Sequence, residues 1–298
     1  MGGCINNWSR FFYWQGPNRH DLWQNGAHIW RDGEFFPDLM VQEGHAFIER
    51  NKDQPFFLYW AINLPHYPLQ GTDKWRKKYE HLPVPRRMYN AFVSTMDESI
   101  GKLLAKLDEL KLREDTIVIF QSDHGHSHEE RTFSGGGSAG PYRGAKFSLF
   151  EGGIRVPAMI SWPGKLPAGE VRSQMATACD WMPTIADLAG VERPARKLDG
   201  RSIAKMIQSS EADSPHRQFH WQSGGGRNPQ WAVRDGDWKL IGNPRDTSNK
   251  APVGKGDARF LVNLADDVSE MENLAGDNPE IVSRLEKLHD AWVKDASK

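Results

Sequence analysis

The chain has 298 residues, enough for one large or two ordinary domains, with 38 Lys and Arg against 39 Asp and Glu for a formal net charge of −1. So even a balance excludes a global electrostatic pull towards nucleic acid or anionic lipid, and any basic footprint has to be local. The mean hydropathy is −0.65 and no apolar run approaches the roughly 20 residues of a membrane span, so no transmembrane segment is expected. The two cysteines, Cys4 and Cys179, are too few for a disulfide framework or a cysteine zinc site, allow at most one bridge, and read as small buried hydrophobes.

The opening residues MGGCINNWSR carry neither the basic nor the apolar region of a secretory signal. An aromatic stretch follows, with Trp8, Phe11, Phe12, Tyr13 and Trp14 beside Asn18, Arg19 and His20. Flat rings next to polar groups suit a sugar face, and ordinary packing against a sheet is the competing reading. Residues 38–51 place Leu39, Val41, Phe47 and Ile48 at mostly helical spacing. Phe56 to Ile62 (FFLYWAI) is a nearly unbroken apolar run, expected as a strand covered on both faces of a parallel sheet, and Pro65 and Pro68 end it.

From Met88 to Leu112 the positions of Phe92, Met96, Ile100, Leu103, Leu104, Leu107 and Leu110 predict an amphipathic helix, which leads into a strand at Thr116–Phe120. Strand, helix and strand in that order imply a βαβ crossover with both strand ends carrying polar groups: His66 after the first, Ser122-Asp123-His124-Gly125 after the second. A flexible loop at Ser134–Gly140, a strand at Ala158–Trp162 and a short helix around Met182–Leu188 complete this part. Beyond Pro194, Asp235-Gly236 between alternating apolar residues predicts a hairpin, FLVNL a further strand, and Pro279–Lys294 a closing helix. The predicted boundary separates an α/β part, 1–195, from a small antiparallel α+β part, 196–298.

Three segments in order, FFLYWAINLPHYPLQ, TIVIFQSDHG and GPYRGAKFSLFEGGIRVP, together with GPNRHDLW near the start and the tail FLVNLADDVSEMENLA, resemble the sulfatase family of the alkaline-phosphatase-like superfamily. The resemblance implies an α/β fold: a partial alkaline-phosphatase-like sandwich with a mostly parallel central sheet, plus the C-terminal antiparallel subdomain. It implies hydrolysis of aryl or carbohydrate sulfate esters, and a periplasmic or extracellular location.

Residue by residue, the resemblance assigns Asp123 and His124 to a divalent cation, Ca²⁺ with Mg²⁺ as the alternative. It assigns Lys146 to the sulfate group and His66 to the sulfate and the leaving alkoxide, with His20 and Arg143 as further substrate contacts. Asp123 suits a hard cation better than His124 does, and an imidazole with a near-neutral reference pKa suits proton transfer. His126 and His128 are read as solvated loop residues or substrate contacts, and the acids at 266–267 and 270–272 as a solvated turn.

One departure is visible. The family's nucleophile is a formylglycine made from the first residue of Cys/Ser-x-Pro/Ala-x-Arg, and no such motif occurs in the 298 residues; Ser161-Trp-Pro-Gly-Lys165 has the proline and ends in lysine. The paired aspartates of the metal site are also missing. The match therefore reads as the C-terminal two-thirds of a sulfatase, N-terminally truncated and inactive by itself. A phosphomonoester or phosphonate hydrolase of the same superfamily and a non-catalytic module that binds sulfated glycans are the alternatives.

Overall fold

The computed structural model of the chain describes residues 11–12, 19–20, 22–31, 33–225, 228–254 and 256–297. They fall into two units, 1–116 with 127–137 and 117–126 with 138–298, so the boundary expected near 195 lies inside the second.

The first unit starts with two short antiparallel ladders, β1 (Phe11–Phe12) with β2 (Arg19–His20) and β3 (Trp23–Gln24) with β4 (Ala27–His28). The second closes over Asn25-Gly26, both at positive φ (52° and 79°), the residue pair that a two-residue hairpin loop favours. Helix α1 (Phe36–Asn51) begins with Pro37 in its first turn, where a missing N–H costs nothing. After α2 (Asp73–Lys78), α3 (Arg86–Glu109) packs against α1.

The most buried positions of α3 are Ala91, Phe92, Thr95, Ser99 and Leu107. Thr95 and Ser99 are tolerated inside because their hydroxyls donate to Ala91 O and Thr95 O at 2.9 Å each, while Thr95 Oγ1 also accepts from Thr72 N at 3.0 Å. Phe92 with Leu64 and Leu69 forms the unit's core below the His66 loop.

The run 56–62 departs from expectation. It joins no ladder among the described residues, and only alternate side chains pack: Phe57 and Tyr59 are 71 % and 81 % exposed, whereas Trp60 donates from Nε1 to Met40 O at 2.9 Å. An apolar run is compatible with burial on both faces but cannot by itself supply the neighbouring strand that a ladder requires.

In the second unit, β5 (Val118–Gln121) pairs with β6 (Ala158–Ser161), α4 (Glu151–Ile154) lies between them in sequence, and α5 (Trp181–Ala189) follows. The pairing is antiparallel, Val118 opposite Ser161 and Gln121 opposite Ala158, and every ladder among the described residues is of this kind. The parallel pairing expected between 56–62 and Thr116–Phe120 is therefore absent among the described residues: 56–62 joins no ladder, and β5 pairs instead with the antiparallel β6. Cys179 is exposed, not buried: in the turn Ala178–Asp180 the interior place is taken by Asp180, which accepts from Thr177 N and Arg201 N at 2.8 Å and contacts His216 Nε2 at 2.7 Å.

Beyond α6 (Ala204–Gln208), strands β7 (Gln218–Ser223), β8 (Gln230–Asp235), β9 (Trp238–Gly242) and β10 (Arg259–Asn263) form an antiparallel sheet in the order β10-β9-β8-β7. The β8–β9 loop is the predicted Asp-Gly hairpin, with Gly236 at φ 63°. This sheet is covered on both faces. Helix α7 (Pro279–Ala296) sets Leu285 on Trp231, Val233, Leu240 and Leu261, while Leu149 and Phe150 cover Ala232, Ile241, Phe260 and Val262.

On the second of these faces Lys239 is fully buried, its Nζ 2.8 Å from Glu151 Oε1 and 2.9 Å from Glu270 Oε1. Burial opposes its charge, but the two carboxylates outweigh burial and raise its pKa, so it stays an ammonium. Burial raises Glu270 and opposes ionisation of Glu151, and Lys239 nevertheless holds Glu151 low. Glu270 is thus no part of a solvated turn; it has φ 55° and no exposure.

Two outcomes follow from these contacts. Lys239→Met alone strands two buried carboxylates and should cost about 3–5 kcal/mol in urea unfolding, whereas a loss below about 1 kcal/mol would show that the charges are not confined as described. Under α7, His220 stacks on Trp292 at 5.3 Å and His289 on Trp231 at 4.1 Å. Burial, with His289 nearby, holds His220 down at about 4 against an ordinary 6.5. Burial likewise lowers His289, opposed by Asp290 and aided by Arg259. Below the ordinary value the unfolded chain takes up a proton that the folded one refuses, so stability is full above about 6.5 and falls as the pH drops towards 4. The urea midpoint should decline between about pH 7 and pH 5, and His220→Phe should flatten that decline; equal slopes in both proteins would reject this account.

Candidate functional site

In the second unit the site residues gather where β5 ends. Ser122 N donates to Pro157 O at 3.1 Å and Gly125 N to Gly153 O at 2.9 Å, so the segment after the strand is stitched to α4 and the start of β6. Only glycine fits at 125, because a Cβ there would lie 2.0 Å from Gly152 O. The same segment supports Lys146: His126 O accepts from Lys146 N at 2.8 Å. Asp123, His124 and Lys146, read separately from the sequence, are thereby parts of one loop cluster.

The Asp123 side chain is 83 % exposed, with Oδ1 accepting from His124 N at 3.0 Å and Oδ2 lying 3.2 Å from His124 Nε2. His124 Nδ1 is 2.8 Å from Gly125 O, and since a carbonyl cannot donate, Nδ1 carries the hydrogen. In the neutral ring Nε2 then turns a lone pair towards a carboxylate oxygen. Two acceptors so close call for a proton or a cation between them, and a backbone carbonyl on the far nitrogen is the usual way to orient a metal-binding imidazole. The pair fits a divalent cation as two of its ligands. Calcium takes about six to eight donors, and among the described residues no three His, Cys, Asp or Glu side chains converge, so the pair alone is not a complete site.

Lys146 sits in a tight turn that Ser148 N closes onto Ala145 O at 3.0 Å. Phe147 occupies the turn's third position at φ 73°, where glycine is the ordinary residue. The turn is held from outside its own segment. Thr247 Oγ1 donates to Lys146 O at 2.9 Å. Gln230, buried on β8, donates to Phe147 O at 3.1 Å and accepts from Leu149 N at 3.1 Å. Ser248 Oγ accepts from Gly144 N at 3.0 Å. These supporting residues lie 81 to 104 positions downstream, and nothing in their local sequence marks them.

Arg143 does not face a substrate. It is 2 % exposed; its Nε donates to Asp246 Oδ2 at 3.0 Å, Nη1 to Glu270 O at 2.9 Å and Nη2 to Ala251 O at 2.6 Å. Its guanidinium also lies 4.2 Å from the Phe150 ring centre. The expected substrate contact is therefore corrected to a structural part, since a cation with every nitrogen engaged inside the protein has nothing to offer a ligand.

His66 belongs to the first unit. The chain turns there through cis Leu64-Pro65 and Tyr67-Pro68 peptides, with His66 N donating to Asn63 O at 2.9 Å. Its Nδ1 is 2.9 Å from Tyr67 O, which places the ring hydrogen on Nδ1 and the basic lone pair on Nε2. A residue that the sequence reading did not single out stands in the same unit: Arg131, whose Nη1 donates to Tyr67 Oη at 3.3 Å. His128 Nδ1 bonds to Ser134 O at 3.0 Å within the loop. The side chain of His20, the aromatic residues Trp8, Tyr13 and Trp14, and Cys4 lie outside the described residues, as do the side chains of Phe11 and Phe12.

Comparison with known proteins bears on the whole chain. The Sulfatase family model matches residues 4–191, and the model described as N-sulphoglucosamine sulphohydrolase, C-terminal, matches residues 145–295. Human arylsulfatase D is 36% identical over 209 residues, covering 68% of this chain and 34% of its own. Dog N-acetylgalactosamine-6-sulfatase is 38% identical over 181 residues, covering 59% and 34%. The chain thus spans about a third of the length of the curated relatives it matches. Among solved structures, Ps i-CgsB superposes with a TM-score of 0.76 at 28% identity, covering 90% of this chain and 56% of that one; it has also been solved in complex with k-i-k-neocarrahexaose. PsFucS1 sulfatase from Pseudoalteromonas sp. reaches a TM-score of 0.67 at 25% identity, covering 87% and 52%. With a family model over more than half of its residues and the alkaline-phosphatase-like fold of its neighbours, the chain belongs to the sulfatase family.

Proposed function

We propose that this chain carries the sulfate-recognition and leaving-group residues of a sulfate ester hydrolase acting on a carbohydrate or aryl sulfate. The observation that carries the reading is the Lys146 turn, hydrogen-bonded through Lys146 N to the loop that presents Asp123 and His124. An ammonium on a fixed turn offers positive charge where negative charge grows on the sulfuryl oxygens, and a group already in place costs no reorganisation when the bond breaks. His66, with its ring hydrogen on Nδ1, has Nε2 as the atom that takes up a proton and then passes it to a departing alkoxide. Asp123 and His124 would hold a divalent cation together with donors beyond them, and such an ion supplies Lewis-acid polarisation of a sulfuryl oxygen when bound.

The relatives include N-acetylgalactosamine-6-sulfatases, and one structural neighbour carries an oligosaccharide, which supports a carbohydrate sulfate as substrate. A periplasmic or extracellular location rests on the family; among the described residues no helix is long and apolar enough to cross a membrane. The 298 residues contain no formylglycine motif, so the reading assigns them sulfate binding without turnover.

Calorimetric titration of inorganic sulfate into the 298-residue chain tests the assignment. Lys146→Ala should weaken binding at least about tenfold, the loss of one charge-assisted contact, with the thermal midpoint unchanged. Unaltered sulfate affinity would remove Lys146 from the site. Phosphate binding more tightly than sulfate would favour a phosphoester substrate, and aryl sulfate turnover that Lys146→Ala abolishes would overturn the claim of binding without turnover.

A further inference from the structure

Phe147, the residue directly after Lys146, is a bulky residue held in left-handed backbone at φ 73°. A phenylalanine in that conformation is strained, and such strain persists only where surrounding contacts over-determine it. Here they do: Lys146 N, Lys146 O and Phe147 O are each engaged, by His126 O, Thr247 Oγ1 and Gln230 Nε2. Hydrophobic burial does not account for the choice of residue, because the ring is 59 % exposed. Glycine or asparagine would relieve the strain at the same position. What phenylalanine adds is a π face, and the Lys146 ammonium stands 5.0 Å from the ring centre, within cation–π reach.

We infer that Phe147 is a positioning residue for Lys146: the clamp from Gln230 and Thr247 holds a strained turn so that an aromatic ring sits against the ammonium and restricts its rotamers. The inference rests on the reading of Lys146 as the sulfate-holding group and adds how that group is aimed. Lys146 is half-buried, and each rotamer of a four-carbon side chain that is excluded before the anion arrives is an ordering cost that binding no longer carries. The backbone cost of the left-handed phenylalanine offsets part of that gain.

The test uses the 298-residue chain with Phe147→Asn, Phe147→Tyr and Phe147→Leu, measuring the thermal midpoint, the affinity for inorganic sulfate and the side-chain methylene proton shifts of Lys146. Asparagine, at ease in left-handed backbone, should leave the midpoint equal or higher while weakening sulfate about 3- to 10-fold, the range of an exposed to half-exposed cation–π contact. The Lys146 methylenes should lose their upfield ring-current displacement in the same variant. Tyrosine should preserve both affinity and shifts, and leucine, equally bulky without a π face, should lose both. Full sulfate affinity in the asparagine or leucine variant, or Lys146 shifts that do not respond to either, overturns the inference. If Lys146→Ala leaves sulfate affinity untouched, the sulfate reading of Lys146 falls, and the ring-current measurement still decides whether Phe147 positions it.

Discussion

Lys239 lies between Glu151 and Glu270 with no exposure to solvent, and the second unit is arranged around that charge. A buried ammonium is costly unless both charge and hydrogen bonds are answered, and here the answers come from two different elements. Glu151 opens α4, and Glu270 follows β10. Glu270 also accepts from Glu151 N and, through its carbonyl, from Arg143 Nη1. One lysine on β9 therefore fixes where α4 begins, and α4 in turn fixes where the chain before it must run.

That chain is the segment carrying Lys146. Its apolar residues Leu149 and Phe150 close one face of the C-terminal sheet, while Gln230 from the same sheet satisfies the turn's backbone. The sheet, which from its place in the sequence looks like a separate appendage, is the platform on which the candidate sulfate-binding turn stands. Packing and hydrogen bonding act together: the apolar contacts set the distance, and the amide of Gln230 selects the conformation.

Arg143 illustrates how similar chemistry can serve opposite ends. Three residues before Lys146 and equally cationic, it is drawn inward by Asp246 and by two carbonyls, whereas Lys146, in the turn Ala145–Ser148, is only half-buried. A planar guanidinium with several donors in a fixed fork suits a structural crossing point of three chain segments; a single ammonium on a flexible stem suits a site. The motif Arg-Gly-Ala-Lys holds one of each.

The sequence by itself determined what depends on local pattern. The Asp235-Gly236 hairpin, the long helix through Phe92 and the closing helix from Pro279 are legible because φ preferences and helical periodicity act over a few residues. Asp123-His124 after a strand and Lys146 in a glycine-rich segment were legible as candidates for the same reason, aided by the family resemblance. Tertiary structure alone decided the rest. Burial of Glu270 and Arg143, exposure of Cys179, and the one-sided packing of 56–62 each depend on a partner far away in the chain or on a neighbouring strand. So does the support of Lys146 by Gln230 and Thr247, because a single side-chain amide or hydroxyl becomes a positioning group only when folding brings a strained backbone to it.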